Sequence, residues 1–508
     1  MLDTKKPYFG LTGKWLFFWI TFSCATDMAL FGYDQGVFSG VIVTQDFLEV
    51  HDLVGPTKTD TLSTVAAIYN VGCFIGAIVA FTLGERLGRK QSIVWGTGII
   101  LVGAVLQATS YSLPQIFVGR VVLGVGNGIN TSNAPIWQTE ISSAHLRGKA
   151  IMIEMLVNIS GFVLANWINY GLSFVGGAVS WRFPIAFQLI FTLILFAIVP
   201  WLPESPRWLM AHGYQTEAVE VLSCLGAKSV DDTYISTQRN EIKYSIQYER
   251  ANAVRWKDMF KRNKTNDTKT LRRLFLGAGT QFMQQFGGIN VMSYYLPTVL
   301  INAVGLSNRM ARLLTACNAV SHLIFACLAV LLIESLGRRG LMLVSTCGQL
   351  LCFTIITALL RYAEMGPSKT EVASASIVFF FLFYISFGLG MLGVPWLYPT
   401  EISSIPMRTK GAAIATATNW ITNFVIVEIT PIGIQNIGWK FWVIWVIFNA
   451  LFLPIIYFFY PETGSIINAN GSPANRTLED LDAYYRSDPP LVVTGDPDAI
   501  SVNRPLKY

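Results

Sequence analysis

The sequence predicts an all-α membrane protein of twelve spans, built as two related six-span halves. Three observations carry that expectation. Only 13% of the 508 residues are charged and 52% are hydrophobic, whereas an ordinary soluble domain carries about a quarter charged residues. Charge is missing altogether from long runs such as Ser92–Gly119, Val121–Thr139, Phe183–Pro203, Leu274–Asn308, Leu313–Ile333, Val372–Thr400 and Phe441–Pro461. About 20 apolar residues suffice to cross the hydrocarbon core. Short charged motifs also recur between the runs: TEISSAHLRGKA at 139–150 and TEISSIPMRTKG at 400–411 share Thr, Glu, Ile, Ser, Ser, Arg and Lys.

Apolar runs bounded by charge place the spans near 15–42, 61–83, 92–111, 113–138, 149–173, 181–202, 273–302, 309–333, 341–361, 372–399, 411–432 and 438–460. The turn signal Tyr111–Pro114 divides the third from the fourth. GERLGRK (84–90) after span two matches IESLGRR (333–339) after span eight, and Pro203-Glu-Ser after span six is echoed by Pro461-Glu-Thr after span twelve. Repeated motifs in corresponding places mean homologous halves, a construction used by rocking membrane carriers. The expected organisation is an N-terminal half (1–202), a polar linker with short helices (203–272), a C-terminal half (273–461) and a tail (462–508).

Lys and Arg in short loops set orientation. Arg86, Arg89 and Lys90, then Arg147 and Lys149, Arg338 and Arg339, and Arg408 and Lys410 all fall on one side, together with both termini. That side is expected to be cytoplasmic. The net charge of +6 then reflects loops against a membrane face and gives no sign of nucleic-acid binding. The seven cysteines show no metal spacing and read as small core residues.

Orientation needs only bases, yet here acids recur with them. Glu140 and Glu401 close spans four and ten, each followed seven residues later by Arg147 or Arg408; Glu85 precedes Arg89 and Glu334 precedes Arg338. These residues can pair across the turn or reach the sibling motif of the same half. Such pairs would brace a cytoplasmic gate and break when that side opens. The plainer reading makes them topology determinants and solvated caps.

GERLGRK, PIWQTEISSAHLRG, LPESPRWL, QQFGGIN, IESLGRR and PWLYPTEISSIPMR stand in this order across spans two to ten. With them the chain resembles the sugar porters of the major facilitator superfamily. FGYDQG, NWINYGLSF and NFVIVEITPIG look most like fungal members, including the glycerol–proton symporter group. The resemblance implies the major facilitator fold and import of a monosaccharide or polyol across the plasma membrane by alternating access. A proton gradient takes the place of any cofactor, and the expected partners are the solute, protons and the bilayer around a monomer.

The same resemblance places substrate contacts on Gln284, Gln285 and Asn290 of span seven, Trp396 of span ten, and Asn419 and Trp420 of span eleven. The chemistry suits hydroxyls: amides both donate and accept without a charge, and an indole covers C–H faces. Two departures stand out. Hexose carriers usually have Gln where this chain has Met155, preceded by Glu154, and Asn where it has His322. Glu154 and His322 therefore join the candidate substrate contacts, pointing to a different sugar, a sugar acid or an acyclic polyol; the alternative readings are an interhelical bond for Glu154 and packing for His322.

Asp34 of span one matches the acid of proton-coupled members, and Arg120 of span four matches its partner. An ionisable residue inside a membrane is a functional candidate by default. Burial favours a neutral acid while a nearby arginine favours the carboxylate, so separating the pair would tie protonation to alternating access. Some facilitative relatives keep this acid, which leaves uniport open. Asp27, on the same helical face as Asp34, either extends a proton path or, the plainer reading, is bonded to a neighbouring helix. A non-transporting sugar sensor is the competitor from another class, and the short tail after Pro461 speaks against it. Metal-ligand clusters, phosphate loops and nucleophile–base pairs that would indicate an enzyme are lacking. Within the tail, GSIINANGSP (464–473) is a polar insertion without a counterpart in the resemblance.

Overall fold

A computed structural model describes residues 7–495 apart from 143–146, 252–268, 366–368, 405–406, 465, 468–472, 475–477 and 488. Among the described residues, ten helices are long and apolar enough to cross a membrane: Lys14–Val41, Pro56–Leu87, Arg89–Ala108, Ile151–Leu172, Val179–Trp201, Asn308–Ile333, Ser335–Met365, Glu371–Ile402, Arg408–Ile437 and Lys440–Phe459. Two more complete the twelve. The fourth span, Leu113–Ile141, is less apolar because Asn127, Asn130, Thr131 and Asn133 are turned inward and buried. The seventh is a broken pair, Thr270–Phe286 and Ile289–Asn302. The all-helical twelve-span architecture is thus the one the sequence predicts.

Two compact units divide these helices. The first comprises Met1–Asp34, Tyr69–Gly161 and Ile185–Ala253; the second comprises Gln35–Ile68, Phe162–Pro184 and Val254–Tyr508. In the first unit span four is lined by small residues, and spans two and three approach its backbone closely. A Cβ on Gly76 would lie 2.1 Å from Val125 O, so this crossing requires the missing side chain. The linker helices Pro206–Ala211, Gln215–Gly226 and Thr233–Ala251 belong to this unit. Ser205 caps the first of them through Trp208 N at 3.3 Å, and Trp208 Nε1 donates to Glu85 O at 2.7 Å.

In the second unit two spans are interrupted. Span seven breaks at Gly287-Gly288, where Asn449 Nδ2 of span twelve donates to the freed Gly287 O at 3.3 Å. Span ten stops at Leu389 and restarts at Val394. Irregular backbone at membrane depth survives only where protein satisfies its polar groups. Gly288 sits at φ +97, and a Cβ there would lie 2.6 Å from the Phe353 ring. Gly288→Val is therefore expected to cost about 1–3 kcal/mol through strain and overpacking. Thermal unfolding of the purified protein checks this; an unchanged melting temperature would contradict it.

The described part of the tail is docked. Its helix Leu478–Arg486 places Asp482 against Arg273 at the foot of span seven (2.5 Å), and the Arg273 Nε also donates to Ile402 O at 2.5 Å. Ile466–Ile467 pairs antiparallel with Pro473–Ala474.

Candidate functional site

The two breaks meet through glutamine amides. On the first half of span seven, Gln281, Gln284 and Gln285 share one face by their i, i+3, i+4 spacing. Gln281 Nε2 donates to Pro395 O at 2.8 Å, and Gln284 Nε2 donates to Met391 O at 2.8 Å and Leu392 O at 3.0 Å. These are carbonyls at the restart of span ten. Asn419 of span eleven donates to Gln281 Oε1 at 2.5 Å and Gln284 Oε1 at 3.0 Å. Beyond the glycine break, Asn290 donates to Gln285 Oε1. Gln281, Gln284, Gln285, Asn290 and Asn419 are all buried, and Trp420 is fully so.

The sequence reading named all of these except Gln281, whose helical spacing to Gln285 was the available signal. Gln284 is also more committed than expected. Both of its N–H groups serve backbone carbonyls, which leaves Gln285 and Asn290 as the amides whose mutual bond a hydroxyl can exchange. Trp396 is half-buried on the restarted helix.

His322 is buried in the second unit. Its Nδ1 sits 3.1 Å from Tyr384 O, its ring packs edge-on to Tyr384 at 5.1 Å, and Tyr384 Oη in turn donates to Ser293 Oγ at 3.4 Å. Glu154 stands in the first unit, buried on span five. Asp34 and Arg120, also in the first unit, form an ion pair at 3.7 Å with both side chains at most 2% exposed. The guanidinium lies 4.6 Å above the Tyr69 ring. Asp27 accepts from Asn130 Nδ2 of span four at 2.7 Å, the bond to a neighbouring helix that the sequence suggested.

At the basic end of the spans the acids and bases pair between sibling motifs. Arg89 donates to both Glu140 oxygens at 3.3 and 3.2 Å, and Arg338 donates to both Glu401 oxygens at 3.1 and 2.8 Å. A pairing of Arg89 with Glu85 is not what forms, because Glu85 points to solvent. Arg408 is half-buried at the start of span eleven; the side chains of Arg147 and Glu334 lie outside the described residues.

Sequence reasoning passed over the acids of the PES and PET motifs. Glu204 accepts from the N–H groups of Arg89 (2.9 Å), Lys90 and Ser205. Glu462 accepts from those of Arg338 (2.8 Å), Arg339, Thr463 and Gly464. Each carboxylate reaches back to the basic motif of its half and caps the helix that starts there, span three for Glu204 and span nine for Glu462, where the helix dipole favours negative charge. The recurrence of Pro-Glu-Ser/Thr was their signal. Burial still holds the Glu204 carboxyl above its ordinary pKa despite these donors.

At the opposite end, inside the second unit, first-half and second-half spans are tied together. Arg312 of span eight donates to Thr44 Oγ1 after span one at 2.9 Å, to Asn169 O of span five at 3.2 Å and to its neighbour Asn308 Oδ1 at 2.7 Å. Asn308 Nδ2 donates to Val43 O at 2.8 Å, Thr64 of span two to Glu428 of span eleven at 2.8 Å, and Gln435 to Pro56 O at 3.0 Å. No motif marks these positions in the sequence.

The sequence and the fold have known counterparts. The profile described as "Sugar (and other) transporter" matches residues 20–466. The chain belongs to the sugar transporter family. It is 68% identical over 504 residues to the MFS-type transporter oryC of Aspergillus oryzae, covering 99% of this chain and 92% of that protein. It is 35% identical over 492 residues to the sugar transporter STL1 of Saccharomyces cerevisiae, with coverage of 95% and 83%. A quinate permease of Neurospora africana is 29% identical over 478 residues, covering 90% and 88%. Among solved structures, the xylose transporter XylE of E. coli in an inward open conformation is similar at TM-score 0.72 and 25% identity, covering 92% of this chain and 99% of that one. This member of the sugar transporter family is therefore a multi-pass membrane transporter for a small molecule.

Proposed function

We propose that the chain imports a small polyhydroxylated solute, a monosaccharide or polyol, together with a proton across the plasma membrane. The buried Asp34–Arg120 pair carries this reading. An acid and a base at 3.7 Å, shut away from water, make a switch: paired, the carboxylate is stabilised, and separated, it takes a proton. The Gln285–Asn290 bond opens to exchange its partners for substrate hydroxyls, and Trp396 covers the solute's apolar face. Alternating access follows from two sets of ties. The Arg89–Glu140 and Arg338–Glu401 pairs rigidify the basic end of each half, and the Arg312 bonds close the far end. In this reading the basic loops face the cytoplasm.

Gln285→Ala and Asn290→Ala are each expected to lower uptake at limiting substrate by about tenfold, the loss of one or two hydrogen bonds of about 0.5–1.5 kcal/mol each. Radiolabel uptake normalised to surface expression measures this. Transport at unchanged apparent affinity in both variants would move the substrate site elsewhere.

A second reading, a hydroxylated carboxylic acid as cargo, is favoured by the relatives named quinate permease. Competition separates the two: unlabelled quinate displacing labelled uptake more strongly than any neutral sugar or polyol supports the acid.

A further inference from the structure

One group of buried acids in the first unit is not used by the Asp34–Arg120 switch. Asp27 of span one receives the Asn130 amide, which also donates to Thr97 Oγ1 of span three at 3.1 Å. Glu154 comes toward this group from span five. One turn beyond it, Asn158 Nδ2 donates to Met28 O at 3.3 Å, and Gly161 packs directly on the Ala29 backbone. Asp27 and Glu154 lie within electrostatic reach of each other, and both act on the Cys24 thiol. Among the described residues, the groups facing the pair are thus one another, Cys24 and the Asn130 amide, with no lysine or arginine.

Both acids are at most 2% exposed. Among the described residues, four buried oxygens here have no hydrogen-bond partner: Asp27 Oδ2, Asn130 Oδ1, and both Glu154 Oε1 and Oε2. All four are acceptors. A buried carboxylate without compensation costs several kcal/mol, and two that face each other cannot both stay ionised. What the cluster lacks is a cation. Two carboxylates and an amide are a poor cage for a divalent ion, which takes six or more oxygens, and no group of three metal-binding acids, histidines or cysteines exists among the described residues.

We propose that Asp27 and Glu154 form a second proton-binding site that holds one proton between the two carboxylates. The proton is taken from water and returned to it, with no other bond made or broken. Held there, it converts one acid into a donor and lets spans one, four and five stay packed; released, it leaves two like charges that push span one from span five. The site stands independently of whether Asp34 couples transport, and of what the substrate is.

Infrared difference spectra of the purified carrier in lipid, without substrate, test it. The pH is stepped from about 5 to about 9, a range in which an unperturbed carboxyl is already ionised. A carboxylic-acid carbonyl band that disappears across this range is expected in the wild type and in Asp34→Asn. Its disappearance moves to lower pH in Glu154→Gln and in Asp27→Asn, and the band is lost in the double variant, because the carboxyl that remains in each single variant is still buried but no longer faces a like charge. The two substitutions are isosteric and lie on different helices, so one failing to fold leaves the other informative. A band unchanged in both variants would overturn the proposal. So would discharge of the band at constant pH when sodium replaces choline, since the occupant would then be sodium.

Discussion

Asp34→Asn will abolish proton-driven accumulation while the carrier still exchanges labelled for unlabelled substrate across the membrane. Asparagine keeps the shape of the side chain and a hydrogen-bonding oxygen beside Arg120, but it cannot change charge. Coupling is a free energy shared by two ligands, and if one of them can no longer bind, the steady-state ratio of inside to outside substrate falls to about one. The variant also leaves Arg120 buried without its counter-charge. Breaking a buried pair from one side costs about 3–5 kcal/mol, tempered here by the Tyr69 ring 4.6 Å from the guanidinium. A lower melting temperature should therefore accompany the loss of coupling. Accumulation that survives in the variant and still collapses with a protonophore would remove Asp34 from the proton path.

Arg312→Gln will open the end of the protein opposite the basic motifs. Arg312 is 4% exposed, and its guanidinium reaches Thr44 and Asn169 in the first half from span eight of the second. Hydrogen bonds from a charged donor contribute about 1.5–3 kcal/mol each. Losing two of them shifts the equilibrium between the two end-closed states by about a hundredfold or more. Spin labels at Asp52 and Glu371, both exposed on that end, read the change directly. A longer and broader distance distribution than in the wild type is expected. Identical distributions would mean that the Arg312 bonds do not hold the closure.

Most of the architecture was legible because membrane spans announce themselves by apolar length and loops by charge. The exceptions share a cause. Span four looks weak since its asparagines face inward, and span seven looks like one run since Gly287-Gly288 leaves hydropathy untouched. The gate motifs were legible as motifs, but pairing depends on which side chains meet across a turn; hence Arg89 chose Glu140 over Glu85. Gln281 was hidden by its neighbours, although helical spacing pointed at it. The Arg312 ties join residues far apart in the chain, through the Thr44 hydroxyl and the Asn169 backbone carbonyl, and no local pattern marks such partners. The Glu154–Asp27 group was visible only as two isolated acids until the contacts of spans one and five placed them together.

The central claim is proton-coupled import of a hydroxylated solute, and one assay reaches it most directly. Cells stripped of their own carriers would express the protein and be offered labelled xylose, glucose, galactose, glycerol, galacturonate and quinate, at acid and at near-neutral pH, with and without a protonophore. The account predicts concentrative uptake of a sugar or polyol that is faster at acid pH and collapses with the protonophore. Uptake that is indifferent to pH and protonophore would make the chain a uniporter, and no uptake of any of these solutes despite surface expression would contradict the assignment of its cargo.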